Sequence, residues 1–188
     1  MTSQPSVALR GSAVVFADAP NPHLVKWKPS VRYADPLSWA LVMAVGEATS
    51  SLGEDFTRAA DRCSLIQVGA VGPRETWAQV ASDAARGFAS PLRFPAATPS
   101  APTGLSCIVH GLRGPTLALT MPVATGAEVA LAMSVAWLQR GVVDWALIGS
   151  VLAVEGRPPG AGCVVLSRGT GPGVGVEVVA RSLQFRAE

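Results

Sequence analysis

Apolar and polar positions fall in blocks along this chain, and the spacing within each block separates strands from helices. Residues 12–17 are small, β-branched or aromatic, which predicts a short strand buried on both faces. Pro20, Pro22 and Pro29 then make an irregular excursion with Trp27 as its anchor. Asp35 followed by Pro36 opens a helix that runs to about Ser50: an acceptor stands at the cap, and proline takes the first position, where its missing N–H has no intrahelical partner to lose. Leu37, Leu41, Val45 and Ala48 form its inner face.

A second strand is predicted over 64–71, and Gly72 and Pro73 turn it into a helix over 74–86 that Gly87 stops. A loop holding Pro91, Pro95, Pro99 and Pro102 leads to a short helix over 103–110. Residues 111–115 turn into a third strand over 116–121, and 122–126 form a tight turn. Residues 127–140 are a helix that is apolar nearly all the way round, which belongs in the middle of a structure. Strands over 144–149, 160–167 and 174–183 complete the chain, the last after a glycine-rich turn over 169–173. The alternation up to residue 150 predicts an α/β fold: a mostly parallel sheet of five to six strands, helices on both faces, and an antiparallel edge from Gly160 onward. Residues 1–188 read as one domain, with 1–11 as a candidate flexible arm.

Composition sharpens this picture. Hydrophobic residues make up 49% of the 188 and charged residues 15%, against roughly 25% charged in an average soluble domain. Mean hydropathy is +0.35. Disorder is excluded, because such a chain buries ample apolar surface. No stretch reaches the roughly 18–20 uninterrupted apolar residues of a membrane span, and the start lacks the charged and apolar regions of a signal peptide. A soluble domain with too little polar surface is expected, and hence a partner that covers the excess. Fifteen basic and thirteen acidic residues leave +2, too little for a nucleic-acid footprint. Cys63, Cys107 and Cys163 lack metal-ligand or disulfide-framework spacing, so no metal or cofactor is expected and a reducing cytoplasm fits.

One segment carries a resemblance. Gly104-Leu105-Ser106 is followed by His110-Gly111-Leu112-Arg113-Gly114-Pro115, an apolar strand, Ala124-Thr125-Gly126 opening a small-residue helix, Leu138 to Gly141, and the strand from Asp144 to Ser150. Upstream stands Arg32 to Ser38; downstream, Glu155-Gly156 and a glycine-led strand from Gly160 to Ser167. In order and spacing these resemble the N-terminal half of a β-ketoacyl synthase, a condensing enzyme of thiolase fold. In that family a nucleophilic cysteine stands where the strand after the glycine-proline turn meets a helix N-terminus. Matching on Ala124-Thr125-Gly126 puts Val123 in that place, and valine accepts no acyl group. The histidines and lysine of the family's second half have no counterpart, since His23, His110, Lys26 and Lys28 stand in the wrong places. His110 matches a structural turn. The resemblance therefore implies half of a thiolase-like fold without catalysis.

It also implies a role. Chain length factors of type II polyketide systems resemble ketosynthases, replace the nucleophile and pair with an active ketosynthase; short, half-size forms occur in aryl polyene and other polyene pathways. Thiolase-fold dimers form through the strand preceding the nucleophile, here Thr116, Leu117, Ala118, Leu119, Thr120 and Met121. The helix after Pro73 would approach the partner's acyl tunnel, with Thr76, Trp77 and Val80 as its lining; Trp77 packed in a core is the plain alternative. An acyl carrier protein would be met indirectly, and Trp27, Lys26 and Lys28 either touch it or form a solvated loop.

Other readings stand beside this one. Thr125 is a helix-capping residue or, without a base, a poor nucleophile. Cys107 and Cys163 are core thiols, and Cys63 is exposed. Residues 169–175 make a hairpin turn rather than a phosphate cradle. A small thioester-processing enzyme using Cys63 or Cys107, and a homodimeric scaffold, are the rival functions.

Overall fold

The computed structural model describes residues 6–27, 31, 33–88, 90–152, 156–169 and 173–184. Among them are five strands: β1 (Ser6–Phe16), β2 (Cys63–Val68), β3 (Thr116–Leu119), β4 (Trp145–Leu152) and β5 (Gly160–Gly169). The helices are α1 (Pro22–Trp27), α2 (Pro36–Thr49), α3 (Gly53–Arg58), α4 (Arg74–Ala85), α5 (Ala101–His110), α6 (Val123–Gln139) and α7 (Val176–Leu183). One sheet orders the strands β1-β5-β4-β2-β3. The β4–β2 and β2–β3 pairs are parallel, and the β1–β5 and β5–β4 pairs antiparallel. The expected α/β fold is present, with a sheet that is partly rather than mostly parallel.

Central strands are buried on both faces, so their side chains serve two cores. Ile66, Val68, Ala146, Ile148, Val164 and Leu166 face the core under α6 and α7. Cys63, Leu65, Leu147, Val151, Cys163 and Val165 face the core under α2. A third cluster, Trp39, Val42 and Leu105, joins the far side of α2 to α5, with Trp27 of α1 packed against it. The helix in the middle is therefore α2, whose residues Leu37 to Val45 are all buried. The expected middle helix, α6, instead lies on an outer layer: Ala124, Thr125, Glu128, Val129 and Ala132 are exposed.

Three more expectations change. The first strand begins at Ser6, well inside the supposed flexible arm, because β5 supplies backbone partners as far as Gly169. It is an edge strand with exposed Leu9 and Val14 rather than one buried on both faces. Residues 176–183 form a helix and not a sixth strand. Val174, Val176 and Val178 alternate as a strand would, but Val179 and Leu183, one helical turn apart, are the fully buried pair. No sheet position was open beside β5, which already has β4 and β1 as neighbours. The hairpin expected over 169–175 is thus absent as drawn, and residues 170–172 lie outside the described residues. Among the described residues no helix is long and apolar enough to cross a membrane.

Candidate functional site

Because β2 and β3 are parallel, their C-terminal ends lie together. β2 leads through Gly69–Pro73 into α4, and β3 leads through Thr120–Pro122 into α6. The two expected site regions, Val123 and the α4 residues, thus leave from one end of the sheet.

The helix begins four residues earlier than the sequence pattern suggested. Pro122 is the cap, with no side-chain hydrogen bond, and Val123 is the first helical residue. Thr125 is consequently an exposed first-turn residue and not the cap. Val123 is buried and packs in the core that holds Val68 and Ala127. Gly126 lets α6 settle this closely on the sheet, since a Cβ there would overlap the Val68 side chain. The free N–H groups of the first turn remain a favourable place for negative charge. The side chain beside them is a methyl-bearing core residue.

Among the described residues β3 is a sheet edge with β2 as its only strand neighbour. Thr116 and Thr120 are exposed, and Leu117, Ala118, Leu119 and Met121 are half-buried. Leu117, Leu119 and Met121 pack against the α6-side core. The free backbone edge is a template for another strand.

The α4 residues divide. Trp77 and Val80 line a cavity of about 560 Å³ together with Pro73, Phe94, Ala97 and Pro99. Thr76 is not part of that lining; its backbone N–H donates to Asp35 Oδ2 at 2.9 Å and its hydroxyl to the Tyr33 carbonyl at 3.5 Å. Trp77 does not pack in the core, being 63% exposed. A second cavity of about 650 Å³ lies across the same loop, lined by Tyr33, Ser38, Leu92, Gly104 and Ile108 among others.

That loop holds Phe88, Leu92 and Phe94, which the sequence reading missed; with Trp77 of α4 and Ile108 of α5 they are each between 58% and 65% exposed, more than any apolar residue of β3. The signal of these three was large apolar side chains inside a proline-rich loop, where nothing local buries them. Asp83 pins the loop. It accepts from Gln79 Nε2 at 2.9 Å, from Arg86 Nη2, and from Arg93 Nη1 at 3.0 Å. The Gln79 amide first, then Arg86, hold its carboxyl below the usual range. Arg93 also lies over the Tyr33 ring, 5.3 Å from its centroid.

The remaining candidates are structural in their contacts. His110 Nε2 is 2.8 Å from the Val42 carbonyl oxygen, and its ring meets His23 edge to face with centroids 5.1 Å apart. Burial pushes the Cys63 thiol up to about 12 and Cys107 up to about 11, and raises Cys163 as well. Cys63 is fully buried, not exposed; its neighbour in the chain, Arg62, is occupied with Asp144. Lys26 lies 5.4 Å from the Trp27 ring centroid; Lys28 lies outside the described residues. Among the described residues no group of three or more His, Cys, Asp or Glu is placed to hold a metal.

No protein-family model matches the sequence, and no curated protein is similar to it. Solved structures do share the fold. One is a type II polyketide synthase acyl carrier protein in complex with its ketosynthase bound to a hexaketide, AntDE:AntF: TM-score 0.67, 13% identity, covering 88% of this chain and 63% of that one. The ishigamide ketosynthase/chain length factor gives TM-score 0.65 at 16% identity over 87% of this chain and 62% of its own. The ketosynthase ApeO in complex with its chain length factor ApeC, from Xenorhabdus doucetiae, gives TM-score 0.62 at 12% identity over 88% and 80%. This chain thus spans a little under two thirds of the first two, and its fold is that of thiolase-like ketosynthase structures.

Proposed function

We propose that this chain is a non-catalytic, chain-length-factor-like subunit that pairs with an active ketosynthase in a type II polyketide system of polyene type, stabilises it and shapes its acyl pocket. The observation that carries this reading is Val123: in a ketosynthase-type fold, a buried valine occupies the first turn of the helix after β3. Two further features support it. Cys63 and Cys163 are buried and Cys107 is half-buried, and desolvation raises all three thiols, which disfavours the rival cysteine enzyme. The β3 edge, the exposed face of α6 and the Trp77–Ile108 surface leave apolar area that a partner would cover. The free cysteines suit a cytoplasmic pair, and a carrier protein meets this subunit only through the ketosynthase.

Co-expression with the type II ketosynthases of the same organism tests the pairing by co-purification and native mass. A stable heterodimer is expected. A chain that runs as a well-behaved monomer and never associates, or one that forms only a dimer of itself, sinks the proposal. Within the heterodimer, Leu119→Arg combined with Ala118→Arg places a charge on the β3 edge whichever way the strand is entered. Association is expected to weaken by at least tenfold, and an unchanged complex would remove β3 from the interface. Trp77→Ala in the reconstituted pair tests the pocket: longer products are expected, and an unchanged product distribution would take Trp77 out of the acyl lining.

A further inference from the structure

The cavity of about 650 Å³ lies between α2, α5 and the loop over 90–97, across that loop from Trp77. Its wall is mostly aliphatic, with Val31, Ala34, Leu92, Pro95 and Leu105 contributing. Among the described residues no lining side chain is charged. The guanidinium of Arg93, which lies over the Tyr33 ring, is paired with Asp83 and is not part of the wall.

Two observations set this cavity apart from a gap between helices. Ser38, in the first turn of α2, lines it while only 1% exposed, and its Oγ has no hydrogen-bond partner. Ser64 and Ser134 are unpaired as well, but neither lines this cavity. A buried hydroxyl left unpaired is costly. The aliphatic side chains around Ser38 are a poor place for a lone water, which needs two to four polar partners to be held. The second observation is Gly104, the fourth residue of α5 and also part of the wall. It has no positive φ, so the backbone does not call for glycine, and a Cβ there would meet nothing within 4 Å. A helix interior is more stable with a side chain at such a position; its omission leaves the cavity open along α5.

We propose that this cavity binds a neutral, straight-chain carbonyl compound, with its chain against α5 at Gly104 and its oxygen accepting from the Ser38 hydroxyl. The class follows from the wall. Aliphatic side chains favour a hydrocarbon chain, and a carboxylate placed among them would lose its hydration with no cation to replace it. A ketone oxygen accepts a hydrogen bond without carrying charge, which suits a hydroxyl whose proton is unused. With each heavy atom taken as roughly the size of a water, about 30 Å³, a chain of about nine carbons and its oxygen occupies roughly 300 Å³. That lies at the lower end of the range for small-molecule sites, roughly 300–1,000 Å³. The site needs no ketosynthase, so its failure would leave the pairing proposed above untouched.

The test titrates the full chain with 2-nonanone and with nonanoate by isothermal calorimetry. The ketone is expected to bind with Kd on the order of 100 µM, and nonanoate at least about tenfold more weakly. Ser38→Ala should weaken the ketone by about fivefold without lowering the thermal midpoint, since it removes an unpaired buried hydroxyl. Gly104→Leu should weaken it by more than about tenfold by filling the cavity, and its midpoint should also hold, because leucine favours a helix more than glycine does. No binding of the ketone, which would leave the cavity as a socket for a partner's side chain, would overturn the proposal. So would nonanoate binding as well as the ketone, or undiminished ketone binding in either variant.

Discussion

One carboxylate sets two helices. Asp35 Oδ1 accepts from the Leu37 N–H at 2.9 Å and so caps α2, while Oδ2 accepts from Thr76 in the first turn of α4, also at 2.9 Å. The side chain is buried, so both donors lose their water if it is removed. Asp35→Ala is expected to cost about 1–3 kcal/mol, read by urea unfolding; a loss under about 0.5 kcal/mol would show that water replaces both bonds. The first of those bonds was legible in the sequence, because capping is local chemistry written as Asp-Pro. The second was not: its partners are 41 positions apart. Val123 divides in the same way. Its place before the small-residue helix could be read, but that its side chain points into the core follows only from where the helix starts. The thiols give a second prediction. Burial, and after it the neighbouring Cys107, pushes the folded Cys63 thiol up from an ordinary 9.0 to about 12. Iodoacetamide at neutral pH should therefore label the folded chain far more slowly than the unfolded one, and a single fast thiol would revive the enzyme reading. Because the unfolded thiol gives up its proton first, this contribution to stability is full below pH 9.0 and is lost as pH rises toward 12.

At the scale of elements, the junction of α1, α2 and α5 carries a pH response. His23 and His110 face each other there, with Glu47 and Lys26 acting on His23. Desolvation is the largest influence on both and holds each imidazole below 6.5; the Val42 carbonyl works the other way on His110. The unfolded chain then binds more protons, so stability is full above pH 6.5 and falls as the solution is acidified. Thermal midpoints should drop between pH 7 and pH 5, and His110→Gln with His23→Gln should flatten that slope; an unchanged slope would place its origin elsewhere. Asp83 and Asp144, held below 3.8, act in a lower window. Elements also differ in how well the sequence announced them. Helices α2 and α4 were visible through caps and punctuation, α2 by Asp35-Pro36 and α4 by Gly72-Pro73 and Gly87. Helix α7 was not, since its valines alternate, and only the occupancy of both sides of β5 decides against a strand.

For the whole molecule, the apolar excess in the composition has an address. Part lies in α2, buried on every side, and in strands that serve two cores. The remainder is at the surface, on α6 and above all on the loop carrying Phe88, Leu92 and Phe94. The isolated chain is therefore expected to bind an apolar dye such as anilinonaphthalene sulfonate and to run heavier than 19.3 kDa in sedimentation. Both signs should fade when the ketosynthase is present; persistence in the complex would mean that the partner covers something else. The sheet has a further consequence, which belongs to synthesis. β1 pairs with β5, Ser6 opposite Gly169 and Phe16 opposite Gly160. A ribosome adding about 5–20 residues per second needs roughly 8–33 seconds to make the stretch between the outer pair. Through that interval Val7, Val14 and Val15 emerge without a neighbour to hold them, within reach of chaperones and of other nascent chains. The first strand made is among the last to find its place.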